Sequence, residues 1–124
     1  MQTFVKPAAA LTALLLALVL APAPDAVRAS SVMEVPLGER LFNNHCSKCH
    51  GVNAAGTEQG PPLVHKIYHP NHHSDTSFRM AVRSGVRAHH WGFGNMPKIE
   101  GVSPEEIELI IEYVRRIQKQ AGIY

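Results

Sequence analysis

The sequence predicts an all-α fold in one small domain. Three observations point to it: apolar residues recur at helical spacing near Leu41, near Ala81 and along Ile107 to Ile117; no run of any length alternates as a strand face does; and Gly- and Pro-rich connections separate the helical stretches. No internal repeat is present, and no low-complexity tract lies beyond the N-terminal apolar run.

That run, AAALTALLLALVLA over residues 8–21, follows Lys6 and precedes Pro22, Pro24 and a VRA–Ser30 junction with small or β-branched residues where a signal peptidase reads. Residues 1–29 are therefore expected to be a secretory signal peptide, cleaved near Ala29, and residues 30–124 the exported, periplasmic domain. The alternative is an uncleaved anchor, but the run is shorter than the roughly 20 residues that span a bilayer as a helix. Removing the leader takes Lys6, Arg28 and Asp25 from twelve basic and ten acidic residues, which leaves the domain near neutral. With few aromatics and no basic run, nothing argues for nucleic acid.

Within the domain, Pro36 and Leu37 open a first helix whose face carries Leu37, Leu41 and Phe42 and which ends at the cysteines. A second helix is expected in SDTSFRMAVRSGV, with Ser74 or Asp75 as N-cap, Gly85 as C-cap, and Phe78, Ala81 and Val82 as its apolar stripe. Met80 in this helix reads as a core methionine. Arg79, Arg83 and Arg87 fall four apart, along one helix face. The final helix is the best marked. Ser103 is its N-cap, Pro104 its first residue and Glu106 completes a capping box; Ile107, Ile110, Ile111, Val114 and Ile117 form the buried stripe, and Arg115, Arg116 and Lys119 suit the C-terminal end of the helix dipole.

The chemistry concentrates in NNHCSKCHG, residues 43–51, which holds the chain's only cysteines. A Cys46–Cys49 disulfide would close too short a loop to constrain the unfolded chain much. A thioredoxin-like pair wants a preceding strand, which the sequence lacks, and zinc wants two further ligands at a fitting spacing, which the other histidines do not offer. Covalent haem uses all three residues of Cys-x-x-Cys-His: Cys46 and Cys49 form thioethers with the vinyl groups, and His50 becomes an axial ligand of the iron. Export places the chain where such attachment occurs in bacteria. For the other axial position, Met33 precedes the first helix and Met80 reads as core, which leaves Met96. It lies in GFGNMPKIEG, a loop stiffened by Pro97 that can present a thioether.

At this point the sequence resembles the class I c-type cytochromes over nearly the whole domain. The resemblance rests on GERLFNNHCSKCHG, on GPPL at residues 60–63, on NMP at residues 95–97 and on SPEEIELIIEYVRRI near the C-terminus. It implies a cytochrome c-like helical fold around one haem c. It also implies close crossing of the terminal helices, with Gly38 and Phe42 meeting Ile110 and Tyr113. It further implies a hydrogen bond from His50 Nδ1–H to the Pro61 carbonyl, and Met96 as sixth ligand of the iron. Trp91 is expected to border the haem and donate its indole N–H to a propionate, since a buried indole needs a partner.

Six further histidines, His65, His69, His72, His73, His89 and His90, depart from the common pattern. They can cap turns or bond propionates. Alternatively His72 and His73, with His69 and Asp75, bind a second metal or form a docking face, or His89 or His90 replaces Met96 on the iron. The expected function is single-electron transfer between redox proteins, with a membrane-bound oxidase or dehydrogenase among the candidate partners, by a carrier that is a monomer or a subunit of a redox complex and not an enzyme. The Arg79, Arg83 and Arg87 face, with Lys48, could pair with propionates or an acidic partner. The rival functions are a haem enzyme or gas sensor with an open distal site, and a cytochrome subunit with a second, His-rich metal site.

Overall fold

A computed structural model describes residues 36–124, so the leader, its cleavage point and Met33 lie outside the described residues. Helix α1 covers 36–45; a turn at Cys46 leads into the short α2, Ser47–His50. The chain then passes through 3-10 turns at Val52–Ala54 and Lys66–Tyr68 to α3, Asp75–Ser84, and closes with α4, Pro104–Gln120. Among the described residues the only β pairing is an isolated antiparallel bridge between Val86 and Met96. The fold is all-α, as the helical periodicity predicts.

Helix α4 forms as its termini dictate. The Ser103 hydroxyl accepts from the Glu106 N–H at 3.2 Å while the Glu106 carboxylate accepts from the Ser103 N–H at 2.8 Å, and Pro104 takes a position that has no helical hydrogen bond to lose. Its inner face buries Ile107, Ile110, Ile111, Tyr113 and Val114. Against it lies α1. An added Cβ on Gly38 would run into the Leu109 carbonyl and come within 3.2 Å of the Tyr113 Cβ, so the two backbones meet where only glycine fits. One turn on, the Phe42 ring packs on Tyr113 with centroids 5.3 Å apart, both rings essentially excluded from solvent. Burying side chains of this size contributes about 1.5–3 kcal/mol each. The expected crossing of the terminal helices is present, with Ile110 in the same cluster.

Helix α3 joins this pair through Val82, which packs with Ile107 and Ile111. Ser74 is its N-cap and Gly85 its C-cap. Two expectations for this region need correction. Met80 does not fill the core beside Val82 as expected: it is 53 % exposed, about 200° round the helix from that buried position, and lines the cavity described below. Arg87 does not share a helix face with Arg79 and Arg83, because α3 ends at Ser84 and Gly85 turns the chain away at φ +74°. Arg79 instead clamps α3 to α4, donating two hydrogen bonds of 2.6 Å to the Glu108 carboxylate.

Arg115 does not serve the helix dipole at the surface but points inward. Its guanidinium donates to the Asp75 carboxylate, the Tyr68 carbonyl and the Gln118 amide oxygen, each at 2.7 Å, and to the His73 carbonyl. Gln118, fully buried, donates in turn to the Leu63 carbonyl at 2.8 Å. A polar network thus ties the 63–73 segment and the start of α3 to α4.

Candidate functional site

The helices and the 85–96 loop surround a largely apolar cavity of about 770 Å³, within the range of small-molecule sites. Phe42, Leu63, Phe78, Val82, Ile110 and Val114 form its floor, and Cys46, His50, Pro61, Trp91 and Met96 all reach it. Five of the six site residues expected from the sequence therefore meet at one cavity. The sixth, Cys49, lies on α2 one residue before His50 and is exposed.

Each of these is positioned by an identifiable local device. Helix α1 delivers Cys46, and the single turn of α2 carries His50 beyond it. The 60–61 segment then folds back onto this turn: a Cβ on Gly60 would sit 2.9 Å from the Cys49 carbonyl oxygen, so glycine permits an approach that a larger residue would block. That approach brings the Pro61 carbonyl to 2.9 Å from His50 Nδ1, which donates to it. The Thr57 hydroxyl donates to the Cys49 carbonyl at 2.6 Å and closes the same turn. With Nδ1 carrying the proton, His50 Nε2 is left as a lone-pair donor.

The Met96 backbone is held at both of its polar groups. Its N–H donates to the Val86 carbonyl and its carbonyl accepts from the Val86 N–H, both at 2.9 Å. Gly85, in a left-handed conformation that most residues avoid, lets the chain turn from α3 against this bridge; a Cβ there would lie 2.5 Å from the Met96 carbonyl oxygen. The Asn95 side chain accepts from the Ala88 N–H at 2.9 Å, so the loop closes across its own neck.

Electrostatics narrow the chemistry. Burial, and secondarily the neighbouring Cys49, push the Cys46 thiol up to about 11. A thiol so far from ionisation is a poor redox nucleophile and a poor thiolate ligand, which disfavours the thioredoxin-like and zinc alternatives. Burial holds His50 below its ordinary value, and the hydrogen bond to Pro61 opposes that only partly, so the ring is neutral and available as a donor at neutral pH. The Trp91 indole N–H is buried without a hydrogen-bond partner. It stands near enough to the Tyr68 hydroxyl to offset part of the upward push that burial gives that phenol, yet makes no hydrogen bond with it by distance and angle. An orphaned donor on the wall of an apolar cavity suits a ligand with an anionic edge. The residues present thus fit a haem, with its apolar ring and its carboxylates.

Two histidines behave as turn caps: His65 accepts from the Ile67 N–H at 3.2 Å and packs on Trp91, and His69 accepts from the Asn71 N–H at 3.1 Å. The remaining four, His72, His73, His89 and His90, gather on the cavity wall. The grouping pairs His72 and His73 with His90, not with His69 and Asp75; Asp75 is engaged by Arg115, and the 85–96 loop folds over to bring His90 in. Arg115 and Tyr68 are contributors that sequence reasoning did not single out. A signal for Arg115 existed, since it stands four residues after Ile111, inside the apolar stripe.

Comparison with known proteins agrees with this geometry. The chain is 29 % identical over 94 residues to the Cbb3-type cytochrome c oxidase subunit CcoP of Rubrivivax gelatinosus, an alignment that covers 73 % of this chain and 28 % of that protein. The chain thus spans little more than a quarter of that relative's length. No solved structure matches significantly. Residues 35–118 match the family model described as Cytochrome c, which takes in both terminal helices, the Cys46–Cys49–His50 motif and the Met96 loop; the chain belongs to the cytochrome c family, and its cofactor is covalent haem c with its iron.

Proposed function

We propose that the protein is a periplasmic electron carrier in which Cys46 and Cys49 anchor the haem and His50 and Met96 are the axial ligands. The observation that carries this reading is the meeting of Cys46, His50 and Met96 at one apolar cavity, with the His50 ring fixed by its 2.9 Å bond to Pro61. Bound to these residues, haem c supplies a one-electron ferric/ferrous couple. His50 contributes a ring of fixed tautomer, made more basic by the carbonyl on its far nitrogen. Met96 contributes a soft, weak donor that favours the reduced state relative to a second imidazole. Its backbone, pinned at both N–H and carbonyl to Val86, would hold the thioether in one place in either oxidation state of the iron. Trp91 offers its unpaired N–H to a propionate, and the apolar floor excludes water. With His50 and Met96 both holding the iron, no position would be left for dioxygen or peroxide, which would separate a carrier from a haem enzyme or gas sensor.

The apolar leader and the haem motif together support export. The resemblance to an oxidase subunit supports a terminal oxidase complex as electron acceptor, with this domain as a mobile donor or as a subunit. No helix among the described residues is long and apolar enough to cross a membrane. Carbon monoxide added to the ferrous holoprotein tests the ligand set: a carrier leaves its spectrum unchanged, whereas rapid uptake means an open distal position and moves the function to a sensor or enzyme using His89 or His90.

A further inference from the structure

The four clustered histidines are built into the wall more firmly than loop residues need to be. His72 and His73 sit on the turn that starts α3, where the N–H groups of both donate to the His69 carbonyl at 2.8 and 2.9 Å. The His73 ring donates from Nδ1 to the Ile67 carbonyl at 2.8 Å, and the His73 carbonyl is gripped by Arg115. His90 comes from the 85–96 loop, whose neck is closed by the Val86–Met96 bridge and by Asn95. His72, His73 and His90 each bring a ring nitrogen within 4.8 Å of the others. His72 Nε2 and His90 Nε2 are 3.2 Å apart.

We propose that His72, His73 and His90 form a second metal site, for a late first-row divalent cation, Cu(II) or Zn(II), on the wall of the haem cavity. The spacing is the first argument. Two nitrogens bound tetrahedrally at the usual 2.0–2.1 Å stand about 3.3 Å apart, which matches the observed separation of the two Nε2 atoms. The second is the outer shell. A metal-binding histidine characteristically donates its other ring N–H to a backbone carbonyl, and the His73 Nδ1–H does so, which leaves Nε2 as the nitrogen with a free lone pair. The third is the donor set. It is all imidazole, with Asp75 turned away to Arg115, and three imidazoles favour copper and zinc over magnesium or calcium. His89 stacks on His73 at 5.8 Å and also bonds a backbone carbonyl, that of Arg87, through Nδ1, but it is not among the three histidines whose ring nitrogens lie within 4.8 Å of one another, which makes it a neighbour of the site.

This site does not depend on which groups ligate the haem iron, and its test reads metal, not electron transfer. Holoprotein is dialysed to equilibrium against Zn(II) and, separately, Cu(II) at pH 7.5, with bound metal counted per haem and the copper form examined by electron paramagnetic resonance. The expected result is one equivalent of either metal, copper the tighter by the usual order of stabilities, with nitrogen hyperfine structure on the copper signal. His72→Ala and His90→Gln each weaken binding by at least about tenfold, while His69→Asn, which keeps an acceptor for the Asn71 N–H, binds as wild type. Helical ellipticity and the haem spectrum verify that each variant is folded. No stoichiometric metal in wild type, or binding unchanged in both His72→Ala and His90→Gln, overturns the proposal and returns these histidines to propionate bonding or loop structure.

Discussion

Replacing Arg115 by methionine keeps an aliphatic stem on α4 and removes every hydrogen bond of the guanidinium. The consequences differ by partner. The Asp75 carboxylate is 49 % exposed and regains water, so losing that ion pair costs no more than about 1 kcal/mol. Gln118 has no such recourse: it is fully buried, and leaving its amide oxygen without a donor costs about 1–3 kcal/mol. The part-buried Tyr68 and His73 carbonyls add a fraction of that each, and contact with the Phe78 ring, 4.7 Å from the guanidinium carbon, about 0.5–1 kcal/mol. Arg115→Met should therefore lower stability by about 2–4 kcal/mol. Arg115→Lys separates geometry from charge, because an ammonium retains the attraction to Asp75 but cannot reproduce the planar fork that reaches four acceptors. It should recover no more than about 1 kcal/mol of the loss. Urea unfolding of ferric holoprotein at pH 7, followed by helical ellipticity, gives the free energies, and amide exchange at residues 68–73 reports whether the loop is released. A loss below about 1 kcal/mol in Arg115→Met, or near-complete rescue by lysine, would refute the claim that the fork holds this wall of the cavity.

Gly38→Ala pits two effects of opposite sign. Alanine favours the helical backbone by about 1 kcal/mol, but its methyl meets the Leu109 carbonyl, a backbone atom that cannot rotate aside, at a cost of about 1–3 kcal/mol. The net should be a lower urea midpoint, and an unchanged or higher one would mean that α1 and α4 can part without penalty. Glu108 gives a pH prediction. The hydrogen bond from Arg79 holds its carboxyl below the ordinary 4.5, so the stability it contributes is present above that value and is lost as pH falls through the lower folded-state value. The urea midpoints of wild type and Glu108→Gln should consequently differ near neutrality and draw together in acid as pH falls through that lower value; a gap that stays constant across the whole acid range would contradict the ion pair.

Much of this was legible because the signals are local. Ser103, Pro104 and Glu106 carry the start of α4 within a few residues, and the Ile107–Ile117 stripe gives its buried face. Cys46, Cys49 and His50 carry their chemistry in five consecutive positions. The positions of Pro61, Trp91 and Met96 came from resemblance and loop chemistry, because contacts made across the fold leave no periodic trace. For the same reason Met80, Arg87 and Arg115 were misplaced. One exposed methionine on a mostly polar helix looks like core, a four-residue spacing outlasts the helix that gives it meaning, and a basic residue late in a helix reads as a dipole partner. Nor could spacing alone place His90 beside His72, since eighteen positions separate them and the Val86–Met96 bridge brings them together.

Met96, not Met80 or a histidine, is the proposed sixth ligand of the haem iron. The most direct measurement is the ferric absorption spectrum in the red region, where methionine sulfur bound to haem iron gives a charge-transfer band, for wild type, Met96→Ala and Met80→Ala matured with covalent haem. The band is expected in wild type and Met80→Ala and is expected to vanish in Met96→Ala. A band that survives in Met96→Ala, or one absent from wild type, would contradict the assignment of Met96.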